Sequence, residues 1–322
     1  MSSDKAAYVG LVNLGNSCYM NSVLQALKMN TQFIKKLINI KETIETDTVI
    51  KHSRTLFSAL LGRFRLIKPS SFKRAIEYHN ESFASKTQQD AHEFFIFYID
   101  LLSTLTKGTC KKPVEFAYNK LWTEFQKEYE KDETNTSVFE EIFHGYFVVK
   151  YTCRSCGLSF QKFEKFNTLF MDCKGNKSIG SLIDSYFEED YTQITCKDCC
   201  KGDSEGVEHY VHRQIYTLPN TLCILLNRFE PETGNKKECS VSVTDTIDLC
   251  EFYKGKDNST YKLVSSVIHE GSSIHSGHYF TLSRIYDKEW KIFDDDKIHN
   301  FNYSAENVSE LENYILFYTL QS

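Results

Sequence analysis

The chain predicts an α+β fold. Two observations carry that reading. Apolar residues in roughly the first 130 positions recur at helical spacing, and from about Phe139 onward they fall into short β-rich runs. No internal repeat is visible. Helices followed by strands give an α+β arrangement.

The elements follow in order. Residues 18–28 are the first helix, with Val23, Leu24, Ala26 and Leu27 on its apolar stripe. Leu56, Phe57, Leu60, Leu61 and Phe64 place a second helix over 53–66. A third begins at Thr87, where Thr87-x-x-Asp90 resembles a capping box. Ala91, Phe94, Phe95, Tyr98, Leu102 and Leu105 form its buried stripe. The polar tract 131–137 reads as a loop. Residues 145–152 form a strand that leads into a cysteine pair, and 221–226 a buried strand. Residues 261–269, 278–286, 289–294 and 314–320 complete the strands.

Composition narrows the class. The 322 residues suffice for a large core, and 24 Phe and 19 Tyr supply bulky material for it. Four prolines and no low-complexity tract argue against long disordered linkers. The mild charge of −5 disfavours nucleic acid and suits a basic protein partner. No apolar run reaches the ~20 residues that span a bilayer. The first residues lack the apolar core of a signal peptide, so a soluble cytoplasmic or nuclear protein is expected. Eleven cysteines, an odd number, then point to reduced thiols and metal ligands rather than a disulfide framework.

Three segments carry chemistry. Gly15-Asn16 makes a turn that delivers Cys18 to a helix N-terminus. Unpaired N–H groups and the helix dipole stabilise negative charge there, and the thiolate is the nucleophile. His278 opens an alternating strand, and Asp294 directly follows the apolar strand 290–293. A His and an Asp on neighbouring strands align so that the carboxylate orients the imidazole. Asp295 is a possible assistant, and Asp296 faces solvent. The rival histidines are His275, in the loop before His278, and His269, at the end of the preceding strand.

Cys153-x-x-Cys156 and Cys196-x-x-Cys199 have zinc-ribbon spacing, each pair closing a knuckle on a tetrahedral ion. Cys200 competes with Cys199 as the fourth ligand. Four thiolates leave no open position, so the Zn2+ is structural. Cys110, Cys173, Cys223, Cys239 and Cys250 read as ordinary reduced thiols. Asp90 and Glu93, three apart, share a helix face.

The stretches GLVNLGNSCYMNSVLQAL, QQDAHEF, HSGHYF with EWKIFDDD, the two Cys-x-x-Cys pairs and the closing YILFY occur in that order along nearly the whole chain. As an ordered set they resemble the ubiquitin-specific proteases. The resemblance implies one papain-like catalytic domain over 1–322, with a helical thumb (8–138), zinc-bearing fingers (139–215) and a β-sheet palm (216–322). It implies a deubiquitinating thiol hydrolase acting after the C-terminal glycine of ubiquitin, with ubiquitin and ubiquitinated proteins as partners and no nucleic acid or membrane. It selects Cys18, His278 and Asp294 as the triad. Asn13 becomes a side-chain donor to the oxyanion. Gln89, Asp90 and Glu93 become holders of ubiquitin's arginine-containing tail, with His275 at the entrance. Two alternatives stay open: a protease for a ubiquitin-like modifier, and an inactive ubiquitin-binding scaffold. Ser17 stands where Thr is commoner, and Asn227 where Lys is commoner.

Overall fold

The computed structural model describes residues 8–40, 47–85, 87–108, 123, 136–199, 206–230, 232–237, 239–273, 276–286 and 289–321. His275, Cys110 and Cys200 therefore lie outside the described residues, as does most of the tract 131–137.

The first part is helical: α1 Cys18–Lys28, α2 Thr31–Ile38, α3 Thr48–Leu60, α4 Ser70–His79, α5 Ala91–Leu105 and α6 Val138–Phe143. Polar caps set the starts. Asn30, Asp47, Asp90 and Ser137 each accept backbone N–H groups from the first turn that follows. Two expectations shift accordingly. The second helix starts at Thr48 rather than 53 because Asp47 caps it, and it stops at Leu60, leaving Leu61 and Phe64 exposed. The third starts at Ala91, with Asp90 itself as the cap, not as the third residue of a capping box.

The strands build four sheets. β1 (Gly10–Leu11) and β2 (Leu66–Ile67) form a short parallel pair. β3 (Gly145–Cys153), β4 (Ser159–Phe166), β7 (Asp190–Ile194) and β8 (Val207–Thr217) form an antiparallel sheet in the order β4-β3-β8-β7. β6 (Gly175–Ser178) pairs in parallel with β10 (Cys239–Ser242).

The largest sheet joins β5 (Thr168–Asp172), β9 (Thr221–Asn227), β11 (Thr246–Asp248), β12 (Thr260–Ser273), β13 (Ser276–Tyr286), β14 (Glu289–Asp294), β15 (Lys297–Phe301) and β16 (Asn313–Leu320). Its order is β15-β14-β13-β12-β16-β9-β5, with β11 beside β12. β5 falls in the stretch expected to be fingers, yet it pairs with β9 in this sheet. Two more helices, α7 (Ile179–Phe187) and α8 (Ala305–Glu310), interrupt the strand-rich half.

In the middle of this sheet both faces are buried, which explains the continuous apolar runs of β9 and β16. On β9 and β16, Cys223, Leu225, Ile315 and Phe317 face the helices, whereas Leu222, Ile224, Leu316 and Tyr318 face the α7 side. Phe95 of α5 meets Phe317 edge-on at 5.1 Å, and Phe33 meets Phe57 at 5.2 Å. Burying such rings contributes on the order of 2–3 kcal/mol each. The helical layer thereby fixes α1 against β13, β12 and β14.

Candidate active site

The turn before α1 is built from its own side chains. Gly15 and Asn16 take φ of +97° and +51°, left-handed values that glycine adopts freely and asparagine tolerates. Asn13 Oδ1 accepts from Gly15 N (2.9 Å) and Ser17 N (3.2 Å), and Ser17 Oγ accepts from Leu14 N (2.8 Å). Cys18 is thus the first residue of α1, where backbone N–H groups have no intrahelical acceptor. Its side chain is 2% exposed.

β13 delivers His278 to this thiol. Thr281 Oγ1 donates to Ser22 O at 2.6 Å and staples β13 to α1. His278 Nε2 lies 2.5 Å from Asp294 Oδ1 at the end of β14. The hydrogen bond with Cys18 raises the imidazole pKa to about 9 against its partial burial, and Asp294 adds to the rise. The imidazole therefore holds its proton at neutral pH beside the Cys18 sulfur.

Asp295 has φ +50° and a bridging carboxylate. Oδ2 accepts from Asn13 Nδ2 at 2.8 Å, and Oδ1 from Asn21 Nδ2 at 2.7 Å. Its carbonyl accepts from Leu11 N at 2.8 Å. The next residue presses on Gly10, where a Cβ would stand 2.8 Å from Asp296 O. Asp296 is exposed. Asn21 was absent from the sequence-based set. The available signal was a polar residue on a buried helix: Asn21, Ser22 and Gln25 are each 2% exposed.

The segment before α5 forms one wall. Gln88 Nε2 donates to Gly277 O, next to His278, while Gln89 donates to Ser85 and Thr87 hydroxyls. Asp90 and Glu93 do not form an exposed acid pair. Glu93 is exposed, with its pKa raised by partial burial and by Asp90. Asp90 is 8% exposed and fully engaged. Oδ1 accepts from His92 N (2.8 Å) and Glu93 N (2.9 Å). Oδ2 accepts from Tyr314 (2.6 Å) and Tyr279 (3.2 Å) hydroxyls.

His269 does not end its strand, because β12 continues to Ser273. It is buried opposite Tyr279, ring centroids 4.5 Å apart, and burial pushes its pKa down to about 4. It stays neutral beneath the site.

The four cysteines meet at one end of the antiparallel sheet, after β3 and after β7. Their sulfurs all lie within 4.8 Å of one another, with Cys153–Cys199 at 3.7 Å and Cys156–Cys196 at 3.6 Å. A tetrahedron with ~2.3 Å metal–sulfur bonds has edges of about 3.8 Å, whereas a disulfide needs ~2.05 Å. The cluster fits a metal ion. Backbone N–H donors lower Cys153 to about 7 and lower Cys196 as well, whereas the contact with Cys156 raises Cys199, and Cys156 is raised too. Cys199 occupies the fourth corner.

A buried thiol at a helix start, facing a carboxylate-held imidazole on a sheet, marks the class of cysteine hydrolases. Comparison with known proteins agrees. The description "Ubiquitin carboxyl-terminal hydrolase" matches residues 9–318. Ubiquitin carboxyl-terminal hydrolase 46 of Caenorhabditis elegans is 29% identical, covering 92% of this chain and 80% of that protein. A probable ubiquitin carboxyl-terminal hydrolase 16 of Schizosaccharomyces pombe is 26% identical, covering 97% and 67%. Against ubiquitin carboxyl-terminal hydrolase 36 of Drosophila pseudoobscura pseudoobscura, at 28% identity, the chain spans 29% of the relative's length. Ubp8 in the SAGA DUB module bound to monoubiquitin shares the fold, with a TM-score of 0.74 at 22% identity, covering 97% of this chain and 69% of that one. The chain belongs to the ubiquitin carboxyl-terminal hydrolase family.

Proposed function

We propose that this chain hydrolyses the bond after the C-terminal glycine of ubiquitin through Cys18. The observation that carries the reading is the placement of His278 between the Cys18 thiol and Asp294. The Cys18 thiolate attacks the glycine carbonyl carbon. His278 gives its proton to the leaving amine, a lysine side chain or an α-amine, and a thioester remains. Water then attacks the thioester, with His278 taking its proton, and thiolate and carboxylate are released.

Asp294 holds the imidazole. Asn13 closes the turn that leads into Cys18, is held by Asp295, and offers its amide to the oxyanion with the N–H groups of the α1 start. Asp295 is a positioning residue for Asn13 and Asn21. Glu93 and Gln89 meet the arginine-containing tail. Asp90 supports that wall from beneath. The Cys153, Cys156, Cys196 and Cys199 set holds a structural zinc ion, which ties β3 to β7. The β4-β3-β8-β7 sheet forms the fingers that grip ubiquitin's body, the helices the thumb and the large sheet the palm. Ubp8 bound to monoubiquitin shares this fold and supports ubiquitin as the partner.

The test compares suicide probes built on ubiquitin and on ubiquitin-like modifiers. Covalent capture of Cys18 by the ubiquitin probe, with turnover of a ubiquitin C-terminal fluorogenic amide, is expected. Capture only by another modifier, or binding without turnover, would overturn the assignment.

A further inference from the structure

We propose that residues 61–68, the connection between α3 and α4 that includes β2, form a docking surface for an acidic, aromatic-bearing segment of another protein. The local charge is opposite to that of the chain. Residues 48–76 hold seven Lys or Arg and no Asp or Glu, in a chain of net charge −5. Of these bases, Lys73 is buried and held by Glu77 and the Phe83 carbonyl, whereas Arg63, Arg65 and Lys68 are exposed. Neither Arg65 nor Lys68 has an acid partner among the described residues. A positive field of this kind draws acidic partners.

Apolar side chains stand between the bases. Leu61, Phe64 and Leu66 are exposed, Phe64 by 58%. One such side chain is ordinary, but three within six residues make a patch. Arginine beside an aromatic ring is the composition of an interface centre. The surface is also held in shape. Leu61 N donates to Phe57 O at 3.1 Å, and Gly62 N to Ala59 O at 3.0 Å. On the other side Arg65 O accepts from Gly10 N at 3.0 Å, and Ile67 O from Val12 N at 2.8 Å. The Phe64 ring lies over Gly62, where a Cβ would stand 3.4 Å from its Cδ2. A ring fixed in this way loses little freedom on binding.

Charge selects the occupant. The Arg65 guanidinium offers a planar fork that matches a carboxylate, and Lys68 adds a second cation. An acidic segment with a ring of its own lays carboxylates on these two and its ring against Phe64 and Leu66. Nucleic acid fits less well, because phosphate binding needs a broad basic footprint and the acid excess of the remaining chain repels a polyanion. An anionic bilayer meets the same repulsion, and so few cations give it a weak hold. A second copy of the chain, meeting this face with its own, brings the same positive sign. The docked segment rests on the strand pair that leads into the catalytic turn, since β2 pairs with β1 and β1 runs on to Asn13.

The experiment uses the full chain and a fluorescein-labelled random copolymer of glutamate and tyrosine. Fluorescence anisotropy should show binding that weakens as salt rises. Polyglutamate without tyrosine should bind about tenfold more weakly. Arg65→Glu with Lys68→Glu, and separately Phe64→Ser, should each weaken copolymer binding by about tenfold or more. Both variants should keep the parent's melting temperature and its basal turnover of a ubiquitin C-terminal amide, because these side chains lie outside the candidate active site. Unchanged copolymer binding by either variant, or polyglutamate binding as tight as the copolymer's, would overturn the proposal. So would tighter binding of phosphatidylserine vesicles or of a single-stranded oligodeoxynucleotide, lost in Phe64→Ser, which gives the surface to a membrane or to nucleic acid. A dimer in sedimentation that Phe64→Ser dissociates would give it to a second copy, and displacement of the copolymer by covalently captured ubiquitin would give it to the substrate.

Discussion

Replacing Asp90 by alanine removes four hydrogen bonds from one buried carboxylate. Two are the cap of α5, from His92 N and Glu93 N, and loss of a cap costs ~1 kcal/mol. The other two leave the Tyr314 and Tyr279 hydroxyls buried without their acceptor, at ~1–3 kcal/mol each. Release of the carboxylate's own burial offsets part of this, so the expected loss is about 3–5 kcal/mol. Asp90→Asn keeps an oxygen for the cap and should lose about 2–4 kcal/mol, the cost of the tyrosine side alone. Urea unfolding followed by far-ultraviolet circular dichroism measures both, with the slope m unchanged. Tyr314→Phe and Asp90→Ala should be strongly non-additive, because each breaks the same 2.6 Å contact. An Asp90→Ala chain as stable as the parent, with turnover loss coupled to an arginine of the substrate tail, would refute the reasoning and return Asp90 to the substrate surface.

Four further outcomes follow from the site. Cys18→Ala should lower turnover ~10⁴-fold or more, and, because Cys18 is the first cause of the raised imidazole, His278 should titrate at lower pH by NMR. With Cys18 present, the raised His278 pKa stabilises the fold fully below the ordinary 6.5, and this contribution fades as pH rises through about 9. kcat/KM should fall over the same alkaline limb because the leaving amine loses its proton donor, and a limb centred near 6.5 would contradict this. Asp294→Asn should cost ~10²–10⁴ in kcat, whereas exposed Asp296→Asn should change little, and equal losses would remove Asp294 from its orienting role. Metal analysis should find one zinc per chain; chelation or Cys153→Ser should lower the melting temperature, and zinc-free protein of undiminished stability would exclude the structural ion.

Local patterns made much of this molecule legible. α1 occupies 18–28 because its apolar spacing and the Gly15–Asn16 turn agree, and strand 289–294 matches because alternation and a terminal carboxylate agree. The family, the α+β class and the cysteine quartet were readable for the same reason: each rests on spacing within a short stretch or on ordered segments. What escaped the sequence was long-range pairing. Nothing local says that β5 joins β9, that Asn21 reaches Asp295, or that two tyrosines from separate strands converge on Asp90. Short helices such as α6 and α8 also escaped, since six residues hold too few turns to show a period.

The bridge from Asn13 to Asp295 spans 282 positions of sequence. During synthesis at ~5–20 residues per second, the cysteine turn emerges at least ten seconds or so before the strands that carry its base. A nascent chain therefore exposes a nucleophile with neither imidazole nor carboxylate to serve it. Contacts of such separation also close late in folding, after local helices have formed. Activity is born with the final sheet: a protease made this way stays silent on the ribosome, among the very proteins it would otherwise meet while half made.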